Sequence, residues 1–169
     1  MKKISRILVF LTMIAVIPVH PAASSDGVVS SRCLSVEEAE ASGINIATMR
    51  EQYKAAYKVG DDDCIFPDSE SEVAEAWTEF QELVFAEIRE EGLIDVTGHS
   101  VTSVVLFEPD GRIAYYFHSH LAETDGPSFC KAVLKIAADY RFPLTSATTF
   151  SQCGTTHFGD GPPVAHVSH

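Results

Sequence analysis

The longest regular pattern in this chain is helical and extends from Ser69 to Gly92. Apolar side chains recur there every three or four residues, which is the spacing of one face of an α-helix. Ser69 and Glu72 add the sequence of an N-terminal capping box. The pattern therefore predicts an amphipathic helix that ends at Gly92 and buries its apolar face. The residues of that face are Val73, Trp77, Phe80, Val84 and Ile88.

A period of two replaces the helical period after residue 100. Side chains alternate from Val101 to Phe107 and again from Arg112 to Leu121, and this alternation predicts two strands. The four residues between them read Glu-Pro-Asp-Gly. Proline fixes φ and glycine accepts a positive φ, so this sequence favours a tight turn. We therefore expect an antiparallel hairpin.

Pro127 begins a second amphipathic stretch, and Pro143 stops it. A last strand is predicted from Ala147 to Phe158. The order helix, strand, strand, helix, strand predicts an α+β fold: a small two-layer sandwich with a three-stranded antiparallel sheet and helices on one face. Such a sheet leaves its other face and at least one edge open. The second helix buries Phe129, Val133, Ile136 and Tyr140.

The sequence divides into four predicted segments. Residues 1–23 have a basic start, a short apolar run and small residues at the end, which is typical of a cleaved secretory signal peptide. An uncleaved N-terminal anchor is the alternative. Residues 24–68 form a helical extension, in which Ser35 and Glu38 make a further capping box. Residues 69–158 form the sandwich, and residues 159–169, which lack periodicity, are predicted to be disordered.

The net charge and the cysteines further restrict the possible binding partners and the compartment of the protein. The formal net charge is −12, which argues against binding nucleic acid or anionic lipid. Export and an even number of cysteines indicate disulfide bonds in the periplasm or outside the cell. Three pairings are possible, and we favour Cys33–Cys64 with Cys130–Cys153, because each bond closes a local loop. One bond and two thiols is the alternative.

Two histidines form the one group of side chains in the sequence that suggests a chemical function. Phosphate-loop, metalloprotease and nucleophile-elbow motifs are lacking, so the sequence predicts neither an enzyme nor a cofactor. His118 and His120 would share one face of a strand with Tyr116, on the open side of the sheet. Two such imidazoles can bind zinc or copper, with His99 or His157 as a third ligand. The alternative is two exposed polar residues near a strand end.

Four features between Val73 and Phe158 follow one another in a fixed order. They are the helix ending at Gly92, the hairpin V-V-L-F-E-P-D-G-R-I, the helix P-S-F-C-K-A-V-L-K-I-A, and R-F-P followed by a strand ending in T-H-F. In this order they resemble the C-terminal domain of the TolA/TonB superfamily. The membrane anchor and spanning segment of those proteins are not expected here. Their helix cysteine pairs with one in the first strand, where this chain has none, so that disulfide is not carried over.

The resemblance implies a function. Such domains bind envelope proteins by pairing an extended peptide with a sheet edge. We therefore expect a non-enzymatic periplasmic adaptor whose partner is a Tol–Pal component or an outer-membrane receptor, without membrane insertion after signal cleavage. The expected edge is the last strand, at Thr148, Thr149, Phe150 and Gln152, unless the N-terminal extension covers it. An acidic inhibitor or immunity-type protein of a basic secreted enzyme, and metal binding at His118 and His120, are the alternatives.

Overall fold

A computed structural model describes residues 30–58, 60, 62–93, 98–119, 121–159 and 161–168. The predicted signal peptide lies outside these residues. The fold is of the mixed α and β class that the sequence predicts. Its elements are β1 (Arg32–Ser35), α1 (Val36–Ala41), α2 (Ile46–Gln52), β2 (Lys54–Ala55), α3 (Glu70–Glu91), β3 (Ser100–Phe107), β4 (Ile113–Ser119), α4 (Gly126–Asp139), β5 (Phe150–His157) and β6 (Val164–Ser168).

The residues that the structure describes form one six-stranded sheet, so the prediction of three strands was too low. The three predicted strands lie together at its centre, where β3 pairs antiparallel with both β4 and β5. Strand β1 adds to β4 in parallel, and β2 adds to β5 in parallel. Strand β6 pairs antiparallel with β5. The extra strands come from the two segments that flank the predicted sandwich.

The β3–β4 turn has the predicted form and also fixes the end of α4. Gly111 has φ +81°, and its N–H donates to the carbonyl of Glu108 at 2.9 Å. The carbonyl of Gly111 accepts from the N–H of Phe142 at 2.9 Å, and a Cβ at this position would collide with the Phe142 backbone. Glycine is therefore required both for the positive φ and for the close approach.

Helices cover both faces of the sheet, which corrects the predicted two-layer arrangement. Long helices α3 and α4 pack on one face, where Trp77, Phe80 and Phe129 are fully buried. The Lys135 ammonium group joins these helices through Glu87 and Glu91. Short helices α1 and α2 pack on the other face in a smaller cluster. Its buried members are Ala39, Leu106 and Phe117.

Both flanking segments are more ordered than their sequence patterns predict. The capping box of Ser35 and Glu38 forms as expected and begins α1. Helix α3 also begins after Ser69, but that side chain makes no capping hydrogen bond. The predicted disorder of residues 159–169 is wrong for the part that the structure describes, because Val164–Ser168 forms β6. A strand needs no sequence periodicity of its own when a neighbour supplies its hydrogen bonds.

Candidate functional site

The edge predicted to bind a partner is occupied by other strands of this chain. Thr148 and Thr149 precede β5, while Phe150 and Gln152 lie on it. One side of β5 pairs with β3 along its full length. The other side pairs with β2 at residues 150–151 and with β6 at residues 153–157. Of the two alternatives for β5, an open edge or one covered by the N-terminal extension, the covered edge is the one observed, and the C-terminal segment contributes a strand to it as well.

The side chains of β5 also belong to the interior. Phe150 is fully buried and stacks on Phe107 with ring centroids 5.0 Å apart. Gln152 is 2% exposed; its amide nitrogen donates to the carbonyl of Cys153 at 2.9 Å, and its amide oxygen accepts from the N–H of Tyr57 at 3.4 Å. Neither residue can contact a peptide partner without partial unfolding. Their role in the described structure is to hold the core and the β2 segment.

Three strands lack a further strand beyond them among the described elements: β1, β2 and β6. The carbonyls of Ala55 and Ala56 already accept from the N–H groups of Ile65 and Phe66 at 2.8 Å, so the β2 segment is partly occupied by this chain and β1 and β6 are the better candidate edges. Val164 at the start of β6 is 56% exposed, which is the largest exposure among the described large apolar side chains. Strand edges of this kind present backbone donors and acceptors to an incoming chain.

A second surface feature lies on α3, opposite its buried face. Four exposed glutamates follow one another at spacings of three and four residues, so they form one line on the helix. None of the salt bridges among the described residues involves them. We refer to this line as the acidic stripe. Its members are Glu72, Glu75, Glu79 and Glu82.

The disulfide differs from both predicted pairs. Cys33 on β1 is bonded to Cys130 on α4, across a sequence separation of 97 residues. Cys64 and Cys153 have no disulfide, so the alternative of one bond and two thiols is the one observed. The parallel pairing of β1 with β4 places Cys33 beside α4. Local loop closure was the wrong criterion, because the distance along the chain says little about the distance in a sheet.

His118 lies beneath α4 and not on an open face, which corrects the predicted exposure. Its ring is 2% exposed and lies edge-on to Phe129 with centroids 5.2 Å apart. Among the described residues, neither ring nitrogen has a hydrogen-bond partner. Burial lowers the pKa of His118, and the charges of Glu38 and Glu37 oppose that shift. Its predicted co-ligand, His120, lies outside the described residues.

Two further side chains that could bind a metal ion lie close to His118, and they are the two cysteines of the disulfide. One ring nitrogen of His118 and the sulfurs of Cys33 and Cys130 all lie within 4.8 Å of one another. The two histidines proposed as third ligands are not part of this group. Instead, Nδ1 of His157 is hydrogen-bonded to the hydroxyl of Ser100 at 2.5 Å, and the ring lies beside that of His166, with centroids 5.8 Å apart. No local pattern in the sequence relates His118 to either cysteine.

Comparisons with known proteins do not assign the chain to a family. No protein-family model matches it, and no curated protein or solved structure matches it significantly. Among the helices that the structure describes, none has both the length and the apolar composition needed to cross a bilayer. The features of the described residues that bear on function are therefore the sheet edges, the acidic stripe and the His118 group.

Proposed function

We propose that this chain is an exported, non-enzymatic adaptor resembling the TolA/TonB C-terminal domain, and that it binds an envelope protein by strand pairing at the outer side of β6. The observation that carries the proposal is the outer side of β6, with which none of the described strands pairs, beside the exposed Val164. An extended peptide added there would gain backbone hydrogen bonds, and the neighbouring side chains would select its sequence. The signal-like N-terminus and the disulfide support export.

Strand β6 is a better candidate than β1 for this pairing. Strand β1 is shorter, with four residues against five, and its Cys33 is bonded to α4. Side chains of β1 thus already contact the helix layer next to that edge. Strand β6 has an exposed apolar residue at its start and intermediate exposure at Ala165 and Val167. These positions provide shallow apolar contacts for the side chains of an added strand.

A lysine at Val164 tests the proposed edge. Lysines at edge positions oppose strand addition, so Val164→Lys should reduce retention of the partner from an envelope extract at least tenfold. The matched control is Leu134→Lys, which adds the same charge at a 38% exposed apolar residue on α4 and should bind normally. Equal retention by both folded variants would contradict strand pairing at β6.

The acidic stripe favours a second candidate, an inhibitor or immunity-type protein of a basic secreted enzyme. Complementary charge accelerates encounter and makes binding sensitive to salt, whereas strand pairing depends much less on salt. Glu75→Gln with Glu79→Gln should weaken such a complex, while Glu51→Gln with Glu123→Gln serves as the control with the same charge change. An affinity that is the same at low and at physiological salt concentration would exclude this candidate.

A further inference from the structure

Three elements bring a set of metal-ligating side chains together at one buried point. Cys33 comes from β1, His118 from β4 and Cys130 from α4, and their ligand atoms lie within 4.8 Å of one another. Ligands of a single Zn²⁺ lie about 3.5 to 4 Å apart, given Zn–S bonds of about 2.3 Å and Zn–N bonds of about 2.0 Å. Once the sulfur–sulfur bond is open, small side-chain rotations would suffice to surround an ion.

The unpaired imidazole is independent support for a ligand at this point. A buried polar group without a hydrogen bond is costly, and native structures satisfy nearly all such groups. His118 is 2% exposed, and no group in the described part of the chain forms a hydrogen bond with either of its ring nitrogens. A metal ion would supply the missing partner.

We propose that Cys33, Cys130 and His118 form a zinc site when the Cys33–Cys130 disulfide is reduced. In that state the disulfide between β1 and α4 is absent, and a bound zinc ion would connect the same two elements instead. The oxidised chain has no thiolates at this point and should not bind zinc there. The site is therefore controlled by the redox state of one cysteine pair.

Charge balance favours Zn²⁺ over Cu⁺ in this position. Two thiolates and a neutral imidazole cancel the charge of Zn²⁺, whereas Cu⁺ would leave one negative charge buried. An uncompensated buried charge is expensive, and the chain already has a net charge of −12. Three protein ligands also match zinc sites of the open type, in which water takes the fourth position.

Opening the Cys33–Cys130 bond requires a dithiol reductant. The sulfur–sulfur bond breaks, Cys33 and Cys130 each receive one electron and one proton, and the reductant leaves as its own disulfide. Zinc then displaces both thiol protons to solvent, because only thiolates are good ligands. In the reverse direction a small-molecule disulfide is the oxidant: it takes up two electrons from the two thiolates and two protons from solvent and leaves as a pair of thiols, the Cys33–Cys130 bond forms again, and the ion is released.

The test compares oxidised and reduced full chain that carries Cys64→Ser and Cys153→Ser, so that only the site thiols are left. Zinc is titrated by calorimetry, and Co²⁺ is used as a probe of thiolate coordination through its sulfur charge-transfer absorption. We expect one Zn²⁺ per reduced chain and none at this site in the oxidised chain. His118→Gln should weaken the reduced chain's zinc affinity at least tenfold.

A double variant of exposed histidines, His157→Gln with His166→Gln, is the matched control and should leave this affinity unchanged. Circular dichroism of each form checks that it is folded. Equal zinc binding by the oxidised chain would overturn the proposal, as would an affinity that does not respond to His118→Gln. A reduced chain that unfolds and is not refolded by zinc would overturn it as well.

Discussion

Gly154 on β5 lies directly against the indole ring of Trp77 on α3. A Cβ at Gly154 would be 2.7 Å from Nε1 of Trp77 and would collide with the carbonyl oxygen of His166 on β6. Trp77 is fully buried at this contact. One residue without a side chain thus allows α3, β5 and β6 to meet, and it positions the strand that we propose as the binding edge.

A methyl group at Gly154 should therefore destabilise the fold. Added volume in a packed interior costs about 1 to 3 kcal/mol, and we expect Gly154→Ala to lower the free energy of unfolding by that amount. Urea unfolding followed by the fluorescence of Trp77 measures the change. Gly161→Ala is the control, because, apart from its neighbours in the chain, no atom of the described residues lies within 4 Å of a Cβ at that position. Equal stability of the two variants would show that β6 does not pack as described.

The Cys33–Cys130 disulfide should contribute strongly to stability. It closes a loop with a sequence separation of 97 residues, and the chain-entropy model gives about 4 to 5 kcal/mol for such a loop. Cys33→Ala with Cys130→Ala should lose much of this stability and should no longer respond to a reductant. In contrast, Cys64→Ser with Cys153→Ser should still respond. Peptide mapping that found Cys64 or Cys153 in the bond would contradict the pairing.

Tyr116 should make stability fall in alkaline solution. Burial raises the pKa of its phenol from the ordinary value of 10.0 to about 12, while its hydrogen bonding with Ser103 and with the amide oxygen of Gln81 acts in the opposite direction. The unfolded chain then loses its proton first as the pH rises above about 10, so unfolding becomes easier. The phenol's contribution is complete below pH 10 and is lost towards pH 12, an effect of about 2 to 3 kcal/mol.

Urea unfolding at several pH values between 8 and 12 measures this effect, with Tyr116→Phe as the comparison. The variant lacks the phenol, so its stability should fall less steeply above pH 10 than that of the unaltered chain. Parallel curves for the two proteins would mean that the Tyr116 hydroxyl is solvated.

The central elements of the fold could be predicted because their signals are local. The apolar face from Val73 to Ile88 and the turn at Gly111 each specify an element within a few residues of sequence. Strand β1 gave no such signal: its four residues pair in parallel with β4, about eighty positions away in the sequence. Strand β2 has two residues, and β6 follows two prolines, so neither shows a usable period.

The candidate site was predicted less well, for related reasons. The alternation around His118 correctly placed it on the same face as Tyr116, but sequence alternation does not reveal which face is covered. Helices cover both faces of the sheet. The cover on the second face could not be predicted, because α1 and α2 come from a segment whose sequence pattern does not specify where it packs. Cys33 and His118 likewise lie close together because of a parallel strand pairing that no sequence motif predicts.

Amide hydrogen exchange of the chain, alone and with its captured envelope partner, tests the proposed binding edge most directly. Strand addition gives new hydrogen bonds to amides that otherwise face solvent. We predict that exchange slows in Val164–Ser168 and is unchanged at the acidic stripe. Protection confined to the stripe between Glu72 and Glu82, with β6 unaffected, would contradict the account and favour the acidic inhibitor.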